Sequence, residues 1–137
     1  MGDMVKKIVV GTVILALVGC STTADDLESS KSAVRTQNAY GVNYQEVFRR
    51  ISNTAKRCHQ TAGTAAFNVD AQLYNELGFG EITMSLVSTL YPRNYYWKAK
   101  VEKVGSGSKV SIVSGNTLAQ GATLRQVSRW AEGETSC

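Results

Sequence analysis

The stretch Ala65-Ala66-Phe67-Asn68-Val69-Asp70-Ala71-Gln72-Leu73-Tyr74 decides the fold. Ala65, Phe67, Val69, Ala71 and Leu73 alternate with Ala66, Asn68, Asp70, Gln72 and Tyr74, and this period of two predicts a strand with one buried face. The turn Gly78-Phe79-Gly80 comes next. Ile82, Met84 and Leu86 then alternate with Glu81, Thr83 and Ser85 in a second strand, which Pro92 closes. A third strand over Tyr95 to Val104 sets Trp97, Ala99 and Val101 against Lys98, Lys100 and Glu102. Gly105-Ser106-Gly107 turns the chain into a fourth over Lys109 to Ser114, where Val110 and Ile112 face inward. Connections this short predict an antiparallel meander.

On either side of the meander the period lengthens. Tyr44, Val47, Phe48, Ile51, Ala55 and Cys58 recur at spacings of three and four, predicting a helix from about Asn43 to Cys58. Asn43 fits an N-cap, and Glu46 completes a capping-box-like pattern. Arg49, Arg50, Lys56 and Arg57 project from the opposite side as a basic stripe. A last helix is expected to begin near Thr123, with Leu124, Val127, Trp130 and Ala131 on its apolar face and Gly133 stopping it. The expected fold class is α+β in the order α-β-β-β-β-α: a four-stranded antiparallel meander with two helices packed on one face. The other face should be polar and open.

At 137 residues, 43% hydrophobic and 19% charged, with a net charge of +4, the chain holds one ordinary globular domain. With one histidine, His59, and three cysteines it cannot build a multi-histidine or tetracysteine metal centre, and nothing in it points to a cofactor. Gly105-Ser106-Gly107 lacks the lysine and the helix of a phosphate loop, and no Gly-x-Ser-x-Gly turn offers a serine nucleophile.

Residues 1–19 have the form of a secretory signal: Lys6 and Lys7 precede the apolar run from Ile8 to Val18. Met4 is an alternative start. As a helix, Ile8 to Gly19 covers roughly 18 Å, short of the roughly 30 Å hydrocarbon core. Leu17-Val18-Gly19-Cys20 resembles the lipobox of bacterial lipoproteins. The resemblance implies cleavage before Cys20, lipidation of Cys20 with palmitate among its acyl chains, and attachment to a membrane without a spanning helix. Ser21 resembles the sorting signal for the outer membrane, so the expected location is its periplasmic side. Residues 20–41, rich in Ser, Thr, Asp, Lys and Asn, are expected to form a flexible tether able to reach about 70 Å when fully drawn. The apolar stripe of Leu27 and Val34 is too narrow to hold a helix alone. Residues 42–137 are the expected periplasmic domain.

With Cys20 acylated, Cys58 and Cys137 remain as an even pair in an exported protein, and a disulfide is the economical reading; two free thiols are the alternative. His59, just past a helix end, is expected to serve structure, with the helix dipole favouring its charged form. Tyr95, Tyr96, Lys98 and Lys100 gather aromatic and positive side chains on one strand, so together with the basic stripe they are the candidate binding residues. Export and the lack of an RNP-like aromatic pattern argue against nucleic acid. The pattern of elements is loosely similar to small periplasmic domains of accessory envelope lipoproteins. The expected function is therefore non-enzymatic: a lipid-anchored binding or scaffold domain of a cell-envelope or secretion assembly, with a protein partner. The alternative is a small envelope hydrolase using Asp70, Glu81 or Glu102 on the polar sheet face, or His59.

Overall fold

The structure is a computed structural model that describes residues 22–115 and 118–137. Residues 1–21, on which the expected signal sequence, the lipobox-like tetrapeptide and Cys20 fall, lie outside the described residues. In chain order the elements are α1 (Ala24–Ser29), β1 (Val34–Tyr40), α2 (Tyr44–His59), β2 (Ala65–Tyr74), β3 (Phe79–Ser88), β4 (Asn94–Val104), β5 (Gly107–Ser114) and α3 (Gln120–Glu132). The strands form one sheet in the order β1-β5-β4-β3-β2, and every pair is antiparallel.

The α+β class and the meander from β2 to β5 are as the alternating patterns require. The strand number is not: the sheet has five strands rather than four, because β1 pairs with the free edge of β5, from Val34 opposite Ser114 to Tyr40 opposite Ser108. The segment expected to be a flexible tether thus carries both α1 and β1. What stabilises this segment is backbone pairing to β5 and one buried anchor, Leu27, rather than a broad apolar stripe. Thr23 caps α1 and closes a capping box with Asp26, satisfying amides of the short helix at both ends of that pair.

The main core lies between the sheet and the helices α2 and α3. Val47, Ile51 and Ala55 of α2 and Val127, Trp130 and Ala131 of α3 meet Val69, Ile82, Trp97, Ala99, Val101, Val110 and Ile112 from the strands. The Phe48 ring sits directly over Gly80, where an added Cβ would come within 2.5 Å of it. Asn43 caps α2 by accepting from the Gln45 amide at 2.8 Å, but Glu46 pairs with Arg49 and Arg50 instead of completing a capping box. Helix α3 begins at Gln120, ahead of the expected Thr123, whose amide already donates to the Ala119 carbonyl as an ordinary helical bond. Gly133 ends it at φ +106°, a left-handed conformation that costs glycine little.

The second face of the sheet is not fully open. Leu27 of α1 packs there with Ala33, Val113 and Tyr95 in a small separate cluster. A bulge aims Tyr95 at it: Met84 is opposite Trp97 but Ser85 is opposite Tyr95, which leaves Tyr96 as the extra residue. Tyr96 consequently joins the main core, edge to face with Phe67 at 5.7 Å.

Candidate functional site

Alternation and register place the second face in rows. Arg35, Val113, Lys98, Thr83 and Asp70 form one, and Gln37, Ser111, Lys100, Glu81 and Gln72 the next. A groove of about 480 Å³ runs along these rows beside α1, lined among others by Glu28, Arg35, Gln37, Lys98, Lys100, Ser111 and Val113. Helix α1 supplies one wall through Glu28.

Lys98 is the organising charge. Only 7% of it is exposed, and its ammonium bonds Glu28 at 2.9 Å and Glu81 at 3.0 Å, tying α1 to β3 and β4. Burial opposes the charge, but the bonds and charges of both carboxylates outweigh burial and hold Lys98 above the ordinary lysine range. Arg35 is likewise engaged, donating to the Ala33 carbonyl at 3.1 Å, the Ser30 carbonyl at 3.0 Å and the Glu28 carbonyl, which satisfies the C-terminal end of α1. Gln37 donates to Ser111 Oγ at 3.4 Å. Lys100 pairs with Glu102 at 3.3 Å and lies 4.8 Å from the centre of the Phe79 ring.

These contacts divide the residues proposed from sequence. Lys100 lines the groove with its side chain over a third exposed. Lys98 is there too, but as a buried bridge rather than an open cation. Tyr95 and Tyr96 do not form a joint platform, because the bulge turns them to different clusters. On α2, Arg50 donates to the Ala131 carbonyl at 3.2 Å and Arg57 to the Thr135 carbonyl, so two of the four stripe cations clamp the C-terminal segment. Arg49 pairs with Glu46, and Lys56 is exposed. Glu28, Arg35, Gln37, Ser111 and Val113 were not singled out from the sequence. The only signal for Arg35 and Gln37 was the polar alternation of Val34 to Tyr40, and Glu28 falls beside Leu27 in α1, where the apolar stripe is too narrow to predict a helix.

The carboxylates considered for hydrolysis share the face, and none is directly opposite another. Asp70 is opposite Thr83, Glu81 opposite Lys100, and Glu102 opposite Lys109. Hydrogen bonds from Lys109 and Lys100 hold Glu102 below the usual carboxylate range despite some burial, the opposite of what a general acid requires. His59 lies on the other side of the sheet, packed edge-on against Trp97 and Trp130, and its Nδ1 accepts from the Trp97 indole at 3.4 Å. Burial lowers its pKa, more than the Gln126 hydrogen bond raises it, so the neutral ring is favoured over the charged form expected at a helix end. Cys58 and Cys137 are joined, with Cα atoms 5.4 Å apart. Among the described residues no helix is long and apolar enough to cross a membrane, and no three metal-ligating side chains converge.

No family model and no curated protein matches the chain. Among solved structures it is similar to CalU16 from Micromonospora echinospora, at TM-score 0.46 and 12% identity over 72% of this chain and 71% of that one. It is also similar to DynU16 of the dynemicin biosynthetic locus, at TM-score 0.42 and 14% identity over 75% of this chain and 47% of that one. For Ara h 8.0201 the TM-score is 0.39 with 11% identity, over 74% and 95% of the two chains. Likenesses this distant carry no argument about function.

Proposed function

We propose that the chain is a lipid-anchored, non-enzymatic binding domain of a bacterial envelope, held to the periplasmic side of the outer membrane through Cys20, with the α1-side groove as its protein-binding surface. The observation that carries the binding site is the groove itself: a concavity of about 480 Å³ lined by Val113 together with Gln37, Ser111 and Lys100. Such a mixture of an apolar side chain and a few polar ones suits recognition. Lys98, Glu81, Lys100, Glu102 and Lys109 of the same face are committed to lysine–glutamate pairs, which supports association over acid–base turnover.

The test places a photocrosslinking residue at Gln37 or, as a control, at Gln72 at the far edge of the same face, in cells carrying the full chain. A discrete adduct from Gln37 that is lost in Lys100→Glu, with none from Gln72, supports the reading. Equal capture at both positions overturns the groove assignment. Loss of palmitate labelling and of membrane retention in Cys20→Ala supports the anchor; retention without any label in the parent removes it. A hydrolytic activity abolished by Glu81→Gln or Asp70→Asn would instead establish the hydrolase alternative.

A further inference from the structure

One end of the sheet gathers three connections. Val34 is opposite Ser114, Ser114 opposite Trp97, and Asn94 opposite Leu86, so the start of β1, the end of β5, the start of β4 and the end of β3 lie side by side. At this end lie the α1–β1 and β3–β4 connections and the described residues between β5 and α3, Gly115, Leu118 and Ala119. They carry Leu90, 82% exposed, Tyr91, 73% exposed, and the fully exposed Leu118. The exposed cations Lys31 and Arg93 sit on the first two of these connections. Isolated exposed apolar residues need no explanation, but three on adjacent loops beside basic side chains form a pattern found at membrane surfaces.

The chain's N-terminal part leads to the same end. Leu27 is buried against Ala33, Val113 and Tyr95, and its amide donates to the Thr23 carbonyl at 3.2 Å, so α1 starts one turn from that contact. Tyr95 in turn accepts from Arg93 at 3.3 Å. Only Ser21 separates Cys20 from Thr22, the first described residue. With α1 and β1 in the fold, the covalent link from the anchoring cysteine to the folded domain can span only about 10 Å, not the reach of a long tether. A link that short fixes which end of the domain meets the bilayer.

We infer that this end of the sheet lies on the lipid surface, with Leu90, Tyr91 and Leu118 in the headgroup region and Lys31 and Arg93 against lipid phosphates. The inference rests on the anchor at Cys20 proposed above, and its occupant is the bilayer rather than a protein. It leaves the groove beside α1 close to the membrane plane, and the opposite end, with Leu77 and Val104, pointing into the periplasm.

The full chain is expressed in a bacterial host, purified with its acyl chains and reconstituted in vesicles whose phospholipids carry brominated acyl chains. Tyr91→Trp is compared with Leu77→Trp at the opposite end, over the constant background of the buried Trp97 and Trp130. The extra emission of Tyr91→Trp should fall by about half or more relative to unbrominated vesicles, since bromine quenches only at short range and interfacial side chains sit about 5–10 Å into the headgroup and acyl boundary. That of Leu77→Trp should not change. Acylation at Cys20, read from the mass of the N-terminal peptide, separates the two claims. Acylated protein with equal quenching at both ends, or none at either, overturns the orientation alone. Unacylated protein overturns the anchor and the orientation with it. Emission of Tyr91→Trp that shifts with protein concentration but not with bromine identifies a second copy as the occupant, which also overturns the inference.

Discussion

Lys98 carries its charge into a site where it is nearly removed from water, and two carboxylates on different elements hold it there. Lys98→Met keeps the stem and removes the charge, leaving Glu28 and Glu81 with nothing between them. Because both carboxylates are partly exposed and can turn to water, the expected cost is about 1–2 kcal/mol in urea unfolding rather than the larger loss of a fully buried pair. Adding Glu28→Gln and Glu81→Gln should recover most of it. The folded pKa of Lys98 lies above the ordinary 10.5, so its contribution is fully present below that value and is lost as pH rises through the folded pKa. The parent should therefore lose stability in strong alkali more steeply than Lys98→Met. His59 acts in the opposite direction. Its folded pKa is depressed below the ordinary 6.5 by burial, so the neutral ring contributes stability above that value, which is lost as pH falls through the folded pKa. Urea midpoints followed from neutral pH down to about 5 should decline in the parent and stay flat in His59→Phe, which keeps an aromatic ring between the tryptophans. A parallel decline in both would remove the assignment.

Helix α2 and strands β2 to β5 were legible because each repeats its apolar period often enough for local pattern and tertiary burial to agree. The elements that were missed are those whose stability comes from somewhere else. In Val34-Arg35-Thr36-Gln37-Asn38-Ala39-Tyr40 the burial alternates strictly, but the half-buried positions include Thr36 and Asn38, so the strand is visible only once β5 offers it an edge. The bulge at Met84 and Ser85 left no mark in the sequence either, and it is what separates Tyr95 from Tyr96. The groove could not be read for the same reason, since its near side consists of β1 and α1. Helix α1 depends on one side chain, Leu27, at 0% exposure. Leu27→Ala should cost the docked helix about 2 kcal/mol, enough to release a single-turn element held by so little else. Hydrogen exchange is expected to show residues 24–30 losing protection while β3, β4 and α2 keep theirs, which defines α1 as a separately opening unit. Uniform loss across the sheet would mean that α1 is part of the global core.

Across the whole molecule, the bond between Cys58 at the end of α2 and the terminal Cys137 closes a loop with a sequence separation of 79 residues. Restricting an unfolded chain over such a loop contributes roughly 4.5 kcal/mol in the chain-entropy account, before any strain is subtracted. The C-terminal segment is held in other ways as well. Arg57 donates to the Thr135 carbonyl, Arg50 to the Ala131 carbonyl, and the Trp130 indole to the Ser136 carbonyl at 2.9 Å. These contacts belong to the folded state and should survive removal of the bridge, whereas the entropic part acts on the unfolded chain. Cys58→Ser together with Cys137→Ser should therefore keep native near-ultraviolet dichroism at room temperature, because Trp97 and Trp130 remain packed. It should nevertheless unfold at a temperature lower by about 15–20 °C, the shift that a loss approaching 4.5 kcal/mol produces in a domain of this size. If the aromatic signal instead collapses at room temperature, the bridge itself is what docks the tail on α2 and Trp130, and its contribution lies in the folded state.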